Sequence, residues 1–395
     1  MANIPPPTLQ PWPAGESPPD VFVIAGEASG DDHAARLVQG LRAKRPGVRV
    51  AALGGPALKA AGAHLLYDLS QHAVVGLVEV LKNYGFFKEL MAQTLAWIEK
   101  YQPRAVLLVD YPGFNLRLAK KLFQNGWSKR AGGKLAVLYY ISPQIWAWKA
   151  NRRFSMAKHL DALAVIFPFE PAYFADTNLP ANFVGHPFAA TGHKNPVSYD
   201  ANGPVLLLPG SRTAPVSRIF PVMLAGFAIY RRARPNAKAV TLVSGPGVRA
   251  ELERQLAKYP EIAPYVSLRP IEQGAAGRLV LTSSGTMSLS CALAGIPGAI
   301  VYRANPITYF VGRLVVNVPY LGIANLLLGR SAWPEFIQGD AKPTALSQRL
   351  LECEAADAHQ QAAKDAAKLR ALLGEPAAAP DAAARWLEEK LFARG

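Results

Sequence analysis

Cysteine is almost missing from this chain: two in 395 residues, Cys291 and Cys353, 62 positions apart. Neither lies in a CxxC pair or beside suitably spaced histidines, so a disulfide scaffold and a zinc site are both excluded and a reducing cytoplasm fits. His33, His72, His159, His186 and His193 share no metal-ligand spacing, which makes them helix-face or capping residues rather than ligands. Long apolar runs are absent too. The longest stretch without a charge, Leu279–Tyr302, is punctuated by Thr282-Ser283-Ser284-Gly285-Thr286 and Gly295-Ile296-Pro297-Gly298. That punctuation suits strand, turn, helix, turn and strand, so no transmembrane helix is expected. Met1–Asp20 carries seven prolines and no apolar core, so it reads as a disordered or surface-laid leader and not as an export signal. No Gly-x-Ser-x-Gly elbow, Walker A lysine, helix-turn-helix or RRM signature occurs, leaving serine hydrolase, P-loop ATPase and the common nucleic-acid modules without support.

Acid is the other shortage. With 28 Asp+Glu against 43 Lys+Arg the net charge is +15, which calls for an anionic partner: nucleic acid, an acidic membrane surface or phosphorylated substrates. The surplus is concentrated. Between Arg104 and Lys158 eleven cations, among them Arg117, Lys120, Lys121, Lys149, Arg152 and Arg153, face one acid, Asp110. Trp146, Trp148, Tyr139, Tyr140 and Phe154 are interleaved with them, a mixture that suits a lipid headgroup layer as well as nucleic acid. A solvated face over an aromatic core gives the same composition.

Short apolar runs alternate with segments of helical period, the pattern of an α/β chain with parallel sheets, and the length suits two domains. Strands are expected at Val21–Ala25, Val48–Leu53, Ala105–Val109, Leu135–Ile141 and Ala162–Ile166, with helices starting near Asp31, Val75, Phe114 and Asn151. After a loop-rich linker over 188–204, a second series is expected at Val205–Leu208, Ala239–Val243, Val266–Leu268, Leu279–Thr282 and Ala299–Tyr302. The domains are thus 21–187 and 205–343, two Rossmann-like sheets facing a cleft, and the helices of 344–395 (Gln348–Leu373 and Ala379–Phe392) close the second or cross back. The run Val74–Phe87 is more apolar than a one-sided surface helix needs, which fits core, an acyl groove or bilayer contact.

In open parallel sheets ligands gather at the carboxyl ends of strands, so the turns directly after strands are the candidates. Gly26-Glu27-Ala28-Ser29-Gly30-Asp31 offers backbone amides at a helix start, but Glu27, Asp31 and Asp32 would repel a bare pyrophosphate, so a hydroxylated or amine-bearing group fits better. Asp31 serving only as a helix cap is the alternative. Asp110 ends an apolar strand inside the basic window; cations nearby would keep it ionised, as a base that deprotonates a hydroxyl must be. Capping the next helix or pairing with an arginine explains it equally well. In the second domain, Leu208-Pro209-Gly210-Ser211-Arg212 and Ser284-Gly285-Thr286 make a pyrophosphate cradle that needs no metal.

Several motifs occur in one order: Ile24-Ala25-Gly26-Glu27-Ala28-Ser29-Gly30-Asp31, Phe114-Asn115-Leu116-Arg117, Ile141-Ser142-Pro143 with Trp146-Ala147-Trp148, Pro168-Phe169-Glu170, Gly185-His186-Pro187, Pro209-Gly210-Ser211-Arg212, Ser284-Gly285-Thr286, and Asn325 through Arg330 with Pro334-Glu335 and Gln338. Together they resemble the lipid A disaccharide synthase family over roughly Val21 to Gln338. The resemblance implies an inverting, metal-independent glycosyltransferase of the two-Rossmann (GT-B) type with no cofactor, peripheral to the cytoplasmic face of the inner membrane. Its substrates would be UDP-diacylglucosamine and diacylglucosamine 1-phosphate, its surface partner the anionic inner membrane and not nucleic acid; a homodimer is compatible with it. It implies Asp110 as catalytic base, Glu27, Ser29 and Asn115 on the acceptor side, and Arg212, Ser284, Gly285, Thr286, Ser290, Asn325 and Gln338 on the nucleotide side. Arg117, Lys120, Lys121, Trp146, Trp148, Lys149, Arg152 and Arg153 would meet the membrane or the acceptor phosphate. Four positions depart from the family pattern: Ser290 stands where glutamate is usual, Thr213-Ala214-Pro215-Val216 lacks a glutamate, Gly113 replaces a second aspartate, and Ile323-Ala324 replace Leu-Pro. Most of these lie in the nucleotide domain, so a degenerate lipid- or sugar-nucleotide-binding protein of the same fold, or a transferase of another UDP-sugar, stands as the alternative.

Overall fold

The computed structural model describes residues 7–69, 84–190, 193–305, 309, 318–374 and 379–392. The chain divides into two compact units, Met1–Thr191 with Leu373–Gly395, and Gly192–Leu372. In the first, β1 (Val21–Ala25), α1 (Ala28–Lys44), β2 (Val50–Gly54), α2 (Pro56–Ala60), β3 (His64–Asp68), α3 (Tyr84–Tyr101), β4 (Ala105–Val109), α4 (Pro112–Gln124), β5 (Ala136–Tyr140), α5 (Arg152–His159), β6 (Ala162–Val165) and β7 (Ala181–Phe183) follow one another. The strands form a parallel sheet in the order β3-β2-β1-β4-β5-β6-β7. Helices cover both faces, so β1, β2, β4 and β5 are buried along their whole length and read as unbroken apolar runs.

The second unit holds β8 (Val197–Tyr199), β9 (Val205–Leu208), α6 (Thr213–Ala233), β10 (Ala239–Val243), α7 (Pro246–Leu256), β11 (Val266–Pro270), β12 (Ala275–Gly277), β13 (Leu279–Thr282), α8 (Thr286–Leu293), β14 (Gly298–Tyr302), α9 (Ile323–Leu328), β15 (Glu335–Ile337), α10 (Pro343–Glu352) and α11 (Ala356–Leu373). Its main sheet runs β11-β10-β9-β13-β14-β15, and β12 pairs with β8. Each unit is therefore doubly wound, with its strand order reversing at one point: between β1 and β4, and between β9 and β13. Helix α6 is long and apolar enough to cross a membrane by composition alone. Here Val216, Ile219, Phe220, Phe227 and Tyr230 pack it into the core of the second unit.

Several expectations shift. The stretch 188–204, expected as a bare linker, contains β8. The tail helix expected as continuous from Gln348 is two helices, α10 and α11, parted by a turn at residues 353–355. The last helix, α12 (Ala379–Phe392), returns to the first unit and packs against α1. The helix expected to begin near Val75, with its apolar run, falls up to residue 83 outside the described residues; from Tyr84 the chain is α3. Residues 7–20, expected as a disordered or surface-laid leader, lie along β3 and α3. Gln10 N–H donates to the Leu66 carbonyl at 2.9 Å and Leu9 N–H to Gln93 Oε1 at 3.1 Å. Trp12 is buried in the core, edge-on to His64 and Trp97 with ring centroids 5.4 and 6.5 Å away.

Truncating a buried tryptophan costs about 3–5 kcal/mol. Trp12→Ala is expected to lower the unfolding free energy of the first unit by an amount of that order, read from the denaturant transition by tryptophan fluorescence; an unchanged midpoint would show that the leader adds nothing to the fold.

Candidate functional site

In the first unit the sheet reverses between β1 and β4, and the register Ala25↔Val109 sets Gly26-Glu27 beside Asp110. The backbone there is unusual. Asp110 and Tyr111 both adopt left-handed conformations, φ 45° and 51°, and Ile141, just past β5, has φ 63°. Such backbone disfavours side chains, β-branched ones most, and persists only when surroundings impose it. Those surroundings are specific: Tyr139 Oη and Asn115 Nδ2 donate to the Asp110 carbonyl at 2.6 and 2.7 Å, and the same amide reaches the Val109 carbonyl at 3.3 Å. The Tyr111 ring lies over Gly26, where a Cβ would sit 2.3 Å from Tyr111 Cδ1, so only glycine admits this turn. Asn115, expected on the acceptor side, is fully buried; its amide nitrogen positions the strand end that carries Asp110.

Burial, and then the neighbouring Glu27, push the Asp110 carboxyl up to about 6, partly opposed by the Tyr111 backbone amide. The expected cause was different: cations of the basic window holding it ionised. The window lies beside Asp110 in sequence, but the groups acting on this carboxyl are burial, Glu27 and a backbone amide. A base titrating just below neutral pH is well matched to proton transfer. Of the other acids, Asp31 is buried and its carboxylate accepts from the Gly55, Ala57 and Leu58 amides at 2.7, 2.9 and 3.2 Å. It caps α2 and leaves Glu27, half-buried, as the acid facing Asp110; Ser29 is exposed in the first turn of α1.

The second unit answers with helix N-termini. At its reversal the Ser283 amide donates to the Leu208 carbonyl at 2.9 Å, drawing the turns after β9 and β13 together. Gly210, at φ 123°, faces Ser283 Oγ, and Ser244 Oγ after β10 donates to the Ser211 carbonyl at 3.3 Å. Helices α6, α7 and α8 begin from these three turns at Arg212, Gly245 and Gly285, with no side-chain cap and no acid in the first turn. Uncapped amides at the positive ends of three helices favour negative charge nearby, and Arg212, Gly285 and Thr286 are exposed and Ser284 half-buried around them. The Ser244-Gly245 turn was missed in the sequence, although Ser-Gly-Pro-Gly directly after a strand was the signal.

The remaining nucleotide-side candidates shape loops. Asn325 is fully buried; its Nδ2 donates to the Trp333 carbonyl and Glu335 Oε1 at 2.8 and 2.9 Å, and Glu335 in turn accepts from the Leu321 and Gly322 amides. Gln338 pairs with both backbone groups of Ala304. Ser290 is buried on α8, where its carbonyl accepts from Asn195 Nδ2 at 2.8 Å.

The expected membrane residues divide as well. Trp146 is buried and donates to Glu170 Oε1 at 3.2 Å; Glu170, also buried, accepts from the Ile166 and Phe167 amides and is pushed up to about 7 by burial. Trp148 and Phe154 stay 42% and 49% exposed. Lys149 Nζ lies 4.3 Å from the Trp148 ring centroid and the Arg152 guanidinium 5.7 Å, while Arg153 pairs with Asp176 at 2.6 Å. Arg117, Lys120 and Lys121 line the exposed side of α4.

A carboxyl whose pKa is raised by folding prefers its neutral form in the folded protein. It therefore burdens the fold above pH 6 and ceases to do so as pH falls through its unfolded value near 4. Asp110→Asn is expected to stabilise the first unit by about 1–3 kcal/mol at pH 7.5, with the gain vanishing near pH 4. Thermal unfolding across pH checks this; a variant equally or less stable at pH 7.5 would contradict the burial.

A family model described as lipid-A-disaccharide synthetase matches residues 21–384. The lipid-A-disaccharide synthase of Nitrosococcus oceani is 35% identical over 347 residues, 85% of this chain and 87% of that protein. That of Anaeromyxobacter dehalogenans is 36% identical over 370 residues, 91% and 94%. Among solved structures, the glycotransferase of kitacinnamycin superposes with a TM-score of 0.60 at 14% identity, covering 95% of this chain and all of its own, which carries the GT-B fold alone. With the family matched across both units and the fold shared, this chain belongs to the lipid-A-disaccharide synthase family of glycosyltransferases.

Proposed function

We propose that the chain transfers 2,3-diacylglucosamine from UDP to 2,3-diacylglucosamine 1-phosphate, forming a β-1,6 disaccharide with inversion, and that Asp110 is the base. The observation that carries this reading is Asp110 itself: a half-buried carboxylate raised to about 6, held on a left-handed turn at the strand reversal of the first unit. The acceptor's 6-hydroxyl gives its proton to Asp110 as its oxygen bonds to the anomeric carbon, and the bond from that carbon to the UDP oxygen breaks. The departing charge falls on a diphosphate, for which the three uncapped helix starts and Arg212 supply fixed donors. Glu27 keeps Asp110 basic enough to take the proton, and Asn115 and Tyr139 keep it aimed.

Trp148 and Phe154, with Lys149 and Arg152, supply amphipathic rings and cations for an anionic bilayer. They support a peripheral site on the cytoplasmic face of the inner membrane, where both lipid substrates lie. Arg117, Lys120 and Lys121 extend the same charge along α4.

The purified protein is expected to make the disaccharide phosphate, and Asp110→Asn to lower kcat by about 10²–10⁴-fold. Glu27→Gln removes a negative neighbour, so the acid limb of the kcat/KM profile is expected to move below pH 6; an acid limb that stays put would take Glu27 out of the site. Arg212→Ala is expected to weaken UDP binding by roughly tenfold or more, the loss of a charge-assisted hydrogen bond, measured by calorimetry. Unchanged affinity would place the diphosphate elsewhere.

A further inference from the structure

The basic window serves two ends of one sheet. Trp148, Lys149 and Arg152 follow β5 at its carboxyl end, but Arg104, Lys129 and Lys134 precede β4 and β5, at the opposite edge. Five residues of β4 separate that edge from Asp110, roughly 17 Å at the rise of a strand. A cavity of about 650 Å³ opens there, between the end of α3, the loop from α4 to β5, and the end of α12. Its size falls in the range of small-molecule sites. Four cations line it, Arg104, Lys129, Lys134 and Lys390, against one acid, Glu99, while Trp127, Ile98 and Leu135 supply an apolar wall.

The second unit carries an internal control. A cavity of about 560 Å³ at the corresponding edge of its sheet is also lined by cations, but its three arginines are in use, which leaves Lys238: Arg234 and Arg278 pair with Glu354 at 2.6 and 3.3 Å, and Arg269 reaches the Gly274 carbonyl. In the first cavity Arg104 pairs with Asp20 at 3.5 Å. Lys134 and Lys390 have no hydrogen bond or ion pair among the described residues, and no acid other than Glu99 lines the space. Lysines held at a cavity rim without counter-charge leave a site for an anion, and ammonium groups bind phosphate as point charges. The apolar wall selects an anion that also carries a greasy body.

We propose that this cavity binds a phosphomonoester borne on an apolar body, at a place separate from the transfer site. A Gln102→Cys reporter on the cavity rim tests it, because the native thiols Cys291 and Cys353 are buried and an environment-sensitive maleimide dye marks the new one alone. Monomeric dihexanoyl phosphatidic acid is expected to give a saturable response, and Lys134→Glu with Lys390→Glu to raise the half-saturation by roughly tenfold or more. Both lysines are exposed, so folding is not at stake; an Asp110→Asn background is expected to leave the response intact, since that residue sits at the other edge. Response to dioleoyl phosphatidic acid in phosphatidylcholine vesicles as well would make the source a bilayer lipid, and response to the monomer alone a dispersed amphiphile. An absent response, one indifferent to charge reversal, or one that glycerol 1-phosphate reproduces at equal concentration would overturn the assignment.

Discussion

The Asp110 carbonyl receives a hydroxyl and an amide from the protein interior, and the strand reversal of the first unit is arranged around that pair of hydrogen bonds. A left-handed residue costs an L-amino acid roughly 1–2 kcal/mol, and here two stand in succession. Tyr139 offsets the strain from within β5, fully buried, with burial holding its hydroxyl well above the usual phenol range so that it stays a donor. Asn115 does so from the first turns of α4. The bend they hold lays Tyr111 over Gly26, which is why the strand beside it must end in a residue without a side chain. Remove the pair, and the strand end, the glycine and the carboxylate would no longer share one geometry.

The two units solve opposite electrostatic problems with the same topology. The first surrounds Asp110 with burial and another acid, and no cation acts on that carboxyl. In the second, three converging helices start without acids in their first turns. Arg212 stands at the start of α6, and peptide dipoles add to its charge.

How much was legible followed burial. Strands β1, β4, β9, β10 and β13 have both faces covered and matched their expected bounds, because a doubly buried strand is a plain apolar run. Strands β3, β7 and β15 are only partly buried, lack that signature and escaped notice. The turns at strand ends were found because position in a parallel sheet follows from order along the chain. Partners across the fold were not. Asn115 and Asn325 carry the residue type of a ligand contact, yet three-dimensional packing turns their amides onto backbone. Asp110 has other neighbours than the sequence suggests, since none of the cations flanking it along the chain acts on its carboxyl, whereas Glu27 arrives from 83 positions away.

The return of α12 to the first unit makes the second unit an insertion within the first. On a ribosome, β1 to β7 emerge early but lack the helix that packs on α1 until residues 379–392 have followed the whole of the second unit out of the tunnel. The second unit, contiguous in sequence, can close first, while the apolar side of α1 stays uncovered. Folding of the catalytic sheet is thereby coupled to completion of synthesis, so chains arrested before α12 would display that face to chaperones and proteases rather than a finished active site.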